Sequence, residues 1–168
     1  MKLIFTRSHK PLSLLIRWGT GEPVTHMAIV FDDFLVFQSN LLGVGLEAFE
    51  YFKKSCEIVY TIDYPMDEEA EEAVYKALIP KFYGQPYGWG AFVYDSWRLI
   101  LKKFLRIPMP KVNPMDSASQ KLCFELVEAL PPEIVPWNKA MPLAELGMST
   151  PYELYLRLLV LKEGAAQT

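Results

Sequence analysis

The sequence predicts an α+β fold in which an antiparallel sheet is packed with helices. Short β-rich segments fill the N-terminal third, helical patterns follow, and no internal repeat or long linker separates them. A length of 168 residues and 19.3 kDa suits one domain, residues 1–168. Apolar residues make up 51% and charged residues 22%, which is typical of a globular chain with a substantial core.

Four segments have the β-rich character of strands. Thr25–Phe31 and Leu35–Ser39 are apolar runs on either side of Asp32-Asp33, a pattern that predicts a hairpin. The other two predicted strands are Lys2–Thr6 and Glu57–Asp63. These four strands supply the sheet.

Helices are predicted over most of the remaining chain. The first begins at Asp67, has an acidic first turn and ends at Pro80. Glycine and proline make Gly84–Gly90 a loop. The remaining predicted helices are Asp95–Ile107, Ser117–Leu130 and Thr150–Lys162, the last opened by a capping box with proline at the first helical position.

The predicted helix Asp95–Ile107 is amphipathic. One face carries Trp97, Ile100, Leu101, Phe104 and Leu105, and the other carries arginine and lysine. Such a helix can lie on an anionic membrane surface. A helix that packs its apolar face on the core and leaves its basic face in solvent has the same pattern, and we expect this second arrangement.

Charge and cysteine usage exclude several classes of protein. A net charge of −3 and a pI near 5.5 give no electrostatic basis for nucleic-acid binding. Two cysteines cannot form a disulfide framework, and no spacing of Cys and His predicts a zinc site. The chain shows neither a signal peptide nor a transmembrane run, so we expect a cytoplasmic protein, or a virion component if it is phage-encoded.

Cys123 is the candidate nucleophile. It lies at or near a predicted helix start, where the free N–H groups and a nearby imidazolium would both favour the thiolate form of the side chain. The same N–H groups could hold the oxyanion of a tetrahedral intermediate. Cys123 also shares a helical face with Val127 and Leu130, so a buried core cysteine is the simpler interpretation of this position. Cys56 has no comparable context and is expected to be structural.

His26 is the candidate base. If the hairpin loop is centred on Asp32, His26 faces Gln38 across the sheet, and Gln38 can accept the second imidazole N–H. A loop one residue different in length would put Ser39 opposite His26 instead. A histidine on a strand is also commonly a structural residue.

The order of these segments resembles the NlpC/P60 superfamily of papain-like cysteine hydrolases. The segments are Thr25-His26-Met27-Ala28-Ile29-Val30, the hairpin return, Gly84-x-Pro-Tyr87-x-Trp-Gly90 and Cys123-x-Glu-Leu-Val. Because histidine precedes cysteine, the chain resembles the circularly permuted branch that includes YiiX-like and lecithin:retinol acyltransferase-like proteins. The resemblance covers about residues 2–130, which leaves 131–168 as a helical extension.

The resemblance implies a permuted papain-like fold with Cys123 as nucleophile, His26 as general base and Gln38 as the orienting polar residue. Tyr87 would assist substrate or oxyanion binding, and no metal or cofactor is implied. The expected activity is hydrolysis or acyl transfer at an amide or ester bond of a peptidoglycan-type peptide or lipid. Peripheral membrane contact through Asp95–Ile107 is the alternative to the packing of that helix on the core.

The chain departs from the family pattern at three places. Phe124 replaces the usual serine, Gln38 is neutral, and Ser117-x-x-Gln120 is a capping box that would start the helix before Lys121 or Leu122, where the family places it. The first two departures favour an alternative, a catalytically inactive binding or inhibitory module, including a phage or virion component.

Overall fold

The computed structural model has an α+β architecture built on one antiparallel sheet of five strands. It describes residues 1–101, 105–106, 123, 125–128, 130 and 150–165. The strands are β1 (Lys2–Arg7), β2 (His26–Phe31), β3 (Leu35–Asn40), β4 (Gly43–Ala48) and β5 (Glu57–Asp63), and their order in the sheet is β4-β3-β2-β1-β5. The four predicted strands are therefore present within a residue or two of their expected ends.

Helices surround the sheet. They are α1 (Pro11–Thr20), α2 (Phe49–Ser55), α3 (Glu68–Phe82), α4 (Trp89–Ile100), α5 (Glu125–Glu128) and α6 (Pro151–Ala165). The sequence patterns did not predict α1, α2 or β4. Strand β4 contains glycine at two of its six positions, which gives it a weak intrinsic preference, so pairing with β3 is what makes it a strand.

Each face of the sheet buries its own apolar set. Phe5, Met27, Ile29 and Phe37 point toward the main core, where they meet side chains of the helices α3, α5 and α6. The opposite face is covered by Phe52 of α2, which packs with the second set, Ile4, Ala28, Val30 and Val36. Because strand side chains alternate, His26 and Thr6 belong to the face that α2 covers.

Three predicted helix ends are wrong, one of them the end of α6, which continues three residues past Lys162 to Ala165. Helix α3 begins after its N-cap Asp67, as expected, but continues past Pro80 to Phe82. Proline removes one N–H near the end of the helix, and the last turn still closes because the Tyr83 N–H donates to the Ile79 carbonyl at 2.9 Å.

Helix α4 begins six residues earlier than Asp95 and includes the end of the predicted loop. The expectation that its apolar face packs on the core is also wrong at two positions, since Trp97 is 56% exposed and Leu105 is 61% exposed. Ala91 and Phe92 supply the buried side of the helix instead. Phe104 and the residues 107–122 lie outside the described part of the chain, so the predicted start at Ser117 does too.

The C-terminal helix α6 is fixed to the sheet by aromatic side chains. Tyr155 stacks on Tyr60 of β5, with ring centroids 4.2 Å apart, and meets Phe5 edge-on at 5.3 Å. Its N-terminus has the predicted capping box, because the Glu153 N–H donates to the Thr150 hydroxyl at 3.2 Å. Residues 131–149 lie outside the described part of the chain. No helix among the described residues is long and apolar enough to cross a membrane.

Candidate active site

The β2–β3 hairpin brings His26 and Gln38 together. Its loop is three residues, Asp32–Phe34, and is therefore centred on Asp33 rather than Asp32. Asp32 and Asp33 both have positive φ, and the Phe34 N–H closes the turn on the Phe31 carbonyl at 3.0 Å. The register thus differs by two residues from the predicted one.

A shift of two residues keeps every side chain on its predicted face. Continuing the observed register places Gln38 opposite Ala28, diagonal to His26. Alanine leaves space for the longer side chain, and Nε2 of His26 lies 2.9 Å from Oε1 of Gln38. Gln38 is therefore the residue that meets the imidazole. Ser39, the other residue considered as the partner of His26, points to the opposite face of the sheet because side chains alternate along a strand.

Glu47 fixes the orientation of the Gln38 amide. Its carboxylate oxygen Oε2 accepts a hydrogen bond from Nε2 of Gln38 at 2.8 Å. Since an ionised carboxylate only accepts, the NH₂ group of Gln38 faces Glu47 and its carbonyl oxygen faces the imidazole. That oxygen also only accepts, so Nε2 of His26 carries the proton. In the neutral ring, Nδ1 then holds the lone pair.

Glu47 was missed at the level of sequence because β4 was missed. A two-residue turn, Leu41-Leu42, follows β3, and β4 pairs Val36 with Glu47 and Gln38 with Gly45. Gln38 and Glu47 are therefore diagonal neighbours on one face of the sheet. Apolar residues alternate along Gly43–Ala48, at Val44, Leu46 and Ala48, and this pattern could have predicted β4.

Burial determines the protonation state of His26. Removal of the imidazole from water lowers the pKa of His26 to about 4, against the opposing effect of the Gln38 hydrogen bond. At neutral pH the ring is therefore a neutral base. This neutral ring differs from the imidazolium expected beside the cysteine, because loss of water around the half-buried imidazole disfavours its charged form.

Cys123 lines the same cavity as His26 and Gln38. It lies in a turn two residues before α5 begins at Glu125, consistent with the expected place near a helix start, and it is only 6% exposed. Cys123 is also part of the main apolar core. Its surroundings therefore fit a buried core cysteine as well as a nucleophile at the cavity wall. Lys121, Leu122 and Phe124 lie outside the described part of the chain.

The cavity has a volume of about 480 Å³. It lies where β1 and β3 end and β2 begins, and it is closed on its sides by α1, α2 and α4. Its lining includes all three side chains predicted to be catalytic, Cys56, several hydroxyl groups and several apolar residues. The lining side chains include Thr6, Ser8, Lys10, Leu12, Ser13, Thr25, His26, Gln38, Glu47, Cys56, Tyr87 and Cys123.

Tyr87 forms part of the cavity wall. It is buried, and its ring meets Trp89 edge-on at 5.4 Å. The loop that carries it is fixed to β4 by two backbone hydrogen bonds, from Val44 N–H to the Gln85 carbonyl and from Gly84 N–H to the Val44 carbonyl. The four site residues predicted from sequence therefore face a single cavity.

Cys56 also reaches this cavity, which its sequence context did not predict. Its thiol donates to the Phe52 carbonyl at 3.3 Å, and burial raises the pKa of Cys56. Both effects favour the protonated form of the Cys56 thiol.

Comparisons with protein-family models, curated proteins and solved structures give no match to this chain. Within the described residues, no group of three or more His, Cys, Asp or Glu side chains could hold a metal ion.

Proposed function

We propose that this chain is a cysteine hydrolase or acyltransferase that acts on an amide or ester bond. Cys123 is the nucleophile, His26 the general base and Gln38 the residue that orients the imidazole. The domain is a permuted papain-like fold of the NlpC/P60 type. The observation that carries the proposal is the 2.9 Å contact between His26 Nε2 and Gln38 Oε1 at the wall of a cavity that Cys123 also lines.

The tautomer of His26 supports the role of base. With the proton held on Nε2 by Gln38, Nδ1 is the basic nitrogen, and within the described part of the chain it has no hydrogen-bond partner. Nδ1 takes the Cys123 proton as the sulfur attacks the carbonyl carbon. The imidazolium then returns this proton to the leaving nitrogen or oxygen, and an acyl-enzyme remains.

The second half of the reaction uses the same nitrogen. Nδ1 removes a proton from water, the hydroxide attacks the thioester, and the proton goes to the departing Cys123 sulfur. An alcohol or amine in place of water makes the enzyme an acyltransferase. A base of pKa about 4 accepts protons weakly, so we expect slow turnover unless the bound substrate or the thiolate raises that pKa.

Tyr87 is assigned to binding rather than to proton transfer. Its position on the cavity wall, held by the Gln85 and Val44 hydrogen bonds, gives a rigid aromatic surface beside the reacting groups. The substrate classes proposed from the family resemblance are peptidoglycan-type peptides and lipid acyl groups.

Alkylation of the two cysteines by iodoacetamide tests this proposal. The rate at Cys123 is measured by mass spectrometry against pH, with Cys56 in the same cavity as the internal control. We expect faster labelling at Cys123 than at Cys56, and a loss of that difference in His26→Ala. Equal, slow labelling of both cysteines in the folded wild type would instead favour a non-catalytic binding module.

A further inference from the structure

Helix α1 exposes a stripe of apolar side chains. Its exposed residues recur at the spacing of one helical face: Pro11, Leu14, Leu15 and Trp18. Trp18 is 70% exposed and Leu15 is 61% exposed. The buried residue of this helix is polar instead, since Ser13 Oγ lies 2.8 Å from Thr25 Oγ1. The outer face of α1 is therefore apolar, whereas the outer face of a helix on a water-exposed surface is normally polar.

Helix α4 is in contact with α1 and exposes a second apolar stripe. Trp89, Val93 and Trp97 follow one another at intervals of one helical turn and are 47–59% exposed. Among the α4 side chains that the structure describes, these three are the exposed ones. Helices α2 and α3 differ from this pair, because they present lysine and glutamate to solvent.

The turn between β3 and β4 adds a third apolar element. Leu42 is 97% exposed and its neighbour Leu41 is 45% exposed. Both leucines line the cavity, as do Leu12 and Ile16 of α1 and Phe92 of α4. The two helices and the turn therefore meet around one cavity. Their exposed apolar residues, named in this and the two preceding paragraphs, form a surface that we call the apolar rim.

Tryptophan is concentrated in the apolar rim. The chain has four tryptophans, and Trp18, Trp89 and Trp97 belong to the rim. Tryptophan is highly buried on average in folded chains, but it is enriched at membrane–water interfaces, where the ring meets acyl chains and the N–H meets headgroups. Large exposed apolar patches mark interaction sites. The tryptophans of this patch favour lipid as the partner.

Cations flank the apolar rim on the α1 side. Helix α1 and its N-cap carry Lys10 and Arg17 and contain no acid. Neither cation forms an ion pair with a residue that the structure describes. Arg17 shares a surface groove with Leu14 and Trp18, and the acid of that groove, Glu22, is hydrogen-bonded within the chain. A surface that is both basic and apolar is complementary to anionic lipid headgroups.

We propose that the apolar rim docks this chain on the surface of an anionic lipid bilayer. Leucines and tryptophans of the rim enter the boundary between headgroups and acyl chains, while Lys10 and Arg17 stay at the level of the lipid phosphates. Leu42, at 97% exposure, projects from the turn, and a fluid lipid layer admits such a side chain without a preformed pocket. The docking requires no catalysis and therefore does not rest on the proposed function.

Flotation with lipid vesicles tests the docking on the full chain. One set of vesicles is phosphatidylcholine, and the other is an equal mixture of phosphatidylcholine and phosphatidylglycerol. We expect a larger bound fraction on the anionic vesicles, and a decrease with added salt. Brominated acyl chains should also quench the tryptophan fluorescence of the bound protein, because the rim tryptophans lie at the level of those chains.

Variants locate the docking surface. Leu42→Gln should lower the partition coefficient about ten-fold, which is the scale of burying one leucine side chain. Phe34→Gln is the matched control, because Phe34 is 65% exposed at the opposite end of β3 and its replacement should leave binding unchanged. Lys10→Gln should lower binding to anionic vesicles about five-fold and leave binding to neutral vesicles unchanged. Melting temperatures confirm that each variant, altered at an exposed position, is folded.

Three results would overturn the proposal. The first is binding to anionic vesicles that is absent or no stronger than binding to neutral ones. The second is an equal loss of binding in Leu42→Gln and Phe34→Gln. The third is a dimer in light scattering that Leu42→Gln converts to a monomer, since the rim would then be covered by a second copy of the chain. These measurements do not involve the reactivity of Cys123, so they leave the proposed function to its own test.

Discussion

His26 and Gln38 are hydrogen-bonded although the sheet does not place them opposite each other. Nε2 and Oε1 are 2.9 Å apart across a diagonal, because the hairpin turns one residue later than its aspartates indicate and both side chains stay on one face. This hydrogen bond therefore depends on the two side chains sharing one face of the sheet and on the small Ala28 between them, and not on the register predicted from the sequence.

Replacing Gln38 by glutamate, together with Glu47→Gln so that the new carboxylate does not face a second one at the 2.8 Å contact, should raise the pKa of His26 above its value of about 4. A carboxylate beside Nε2 stabilises the imidazolium more than an amide oxygen does. Histidine ring resonances followed by NMR against pH measure the change, with the exposed His9 as reference. Gln38→Leu removes the hydrogen bond that favours the charged ring, so it should shift the His26 titration in the opposite direction. Identical titrations in the two variants would contradict the assigned contact.

Glu47 should act as a positioning residue through Gln38. Glu47→Leu removes the acceptor that orients the amide, so the amide can turn its NH₂ toward His26 and favour the wrong tautomer. We expect a loss of Cys123 labelling of roughly 10-fold or more, together with a change in the ¹⁵N shifts of the imidazole. Glu47→Gln is the matched control, since its carbonyl oxygen can still accept from Gln38 and should retain most of the rate.

Gly43→Ala should destabilise the chain and displace the loop that carries Tyr87. Gly43 has a φ of +121°, and a Cβ there would lie 2.6 Å from the Gln85 carbonyl oxygen. Backbone strain of this kind costs about 1–3 kcal/mol. The cost is measured as the loss in free energy of unfolding in urea. Gly45→Ala in the same strand meets nothing within 4 Å and is the control; equal losses in both would show that the contact with Gln85 is unimportant.

Glu71→Gln should be strongly destabilising. The carboxylate accepts from the Met1 ammonium at 2.7 Å through one oxygen and from the Asp32 N–H at 2.7 Å through the other, and the pair is buried. Breaking one partner of such a pair costs about 3–5 kcal/mol. The exposed Glu72, paired with Lys76 at 2.8 Å, is the comparison, and Glu72→Gln should cost about 0.5 kcal/mol or less in the same denaturation experiment.

Glu22 should make the stability of the chain fall as pH rises through its titration. Burial raises the pKa of Glu22, which accepts from the Thr150 hydroxyl at 2.7 Å. The folded state therefore holds the proton more tightly than the unfolded chain. The stabilisation is complete below the unfolded pKa of about 4.3 and is lost as pH rises through the folded value. Melting temperatures between pH 4 and 7 should decline less in Glu22→Gln than in wild type; parallel curves would exclude this effect.

Strands β1, β2, β3 and β5 could be predicted because each is a continuous β-rich segment. Helix α3 could be placed at its start by the Asp67 cap, whose side chain accepts the Ala70 N–H at 2.8 Å. Strand β4 could not, because two glycines obscure its pattern and only pairing with β3 makes it regular. Without β4 the role of Glu47 was not visible.

By itself, the sequence determined the α+β class, the limits of four strands, and His26, Gln38, Tyr87 and Cys123 as the residues to examine. These follow from local patterns of polarity, from turn residues and from the order of short motifs. Tertiary structure decided that the four residues line one cavity, that Glu47 orients Gln38 and that burial keeps His26 neutral. Such properties depend on distances between segments far apart in the chain and on the removal of water, which no local pattern encodes.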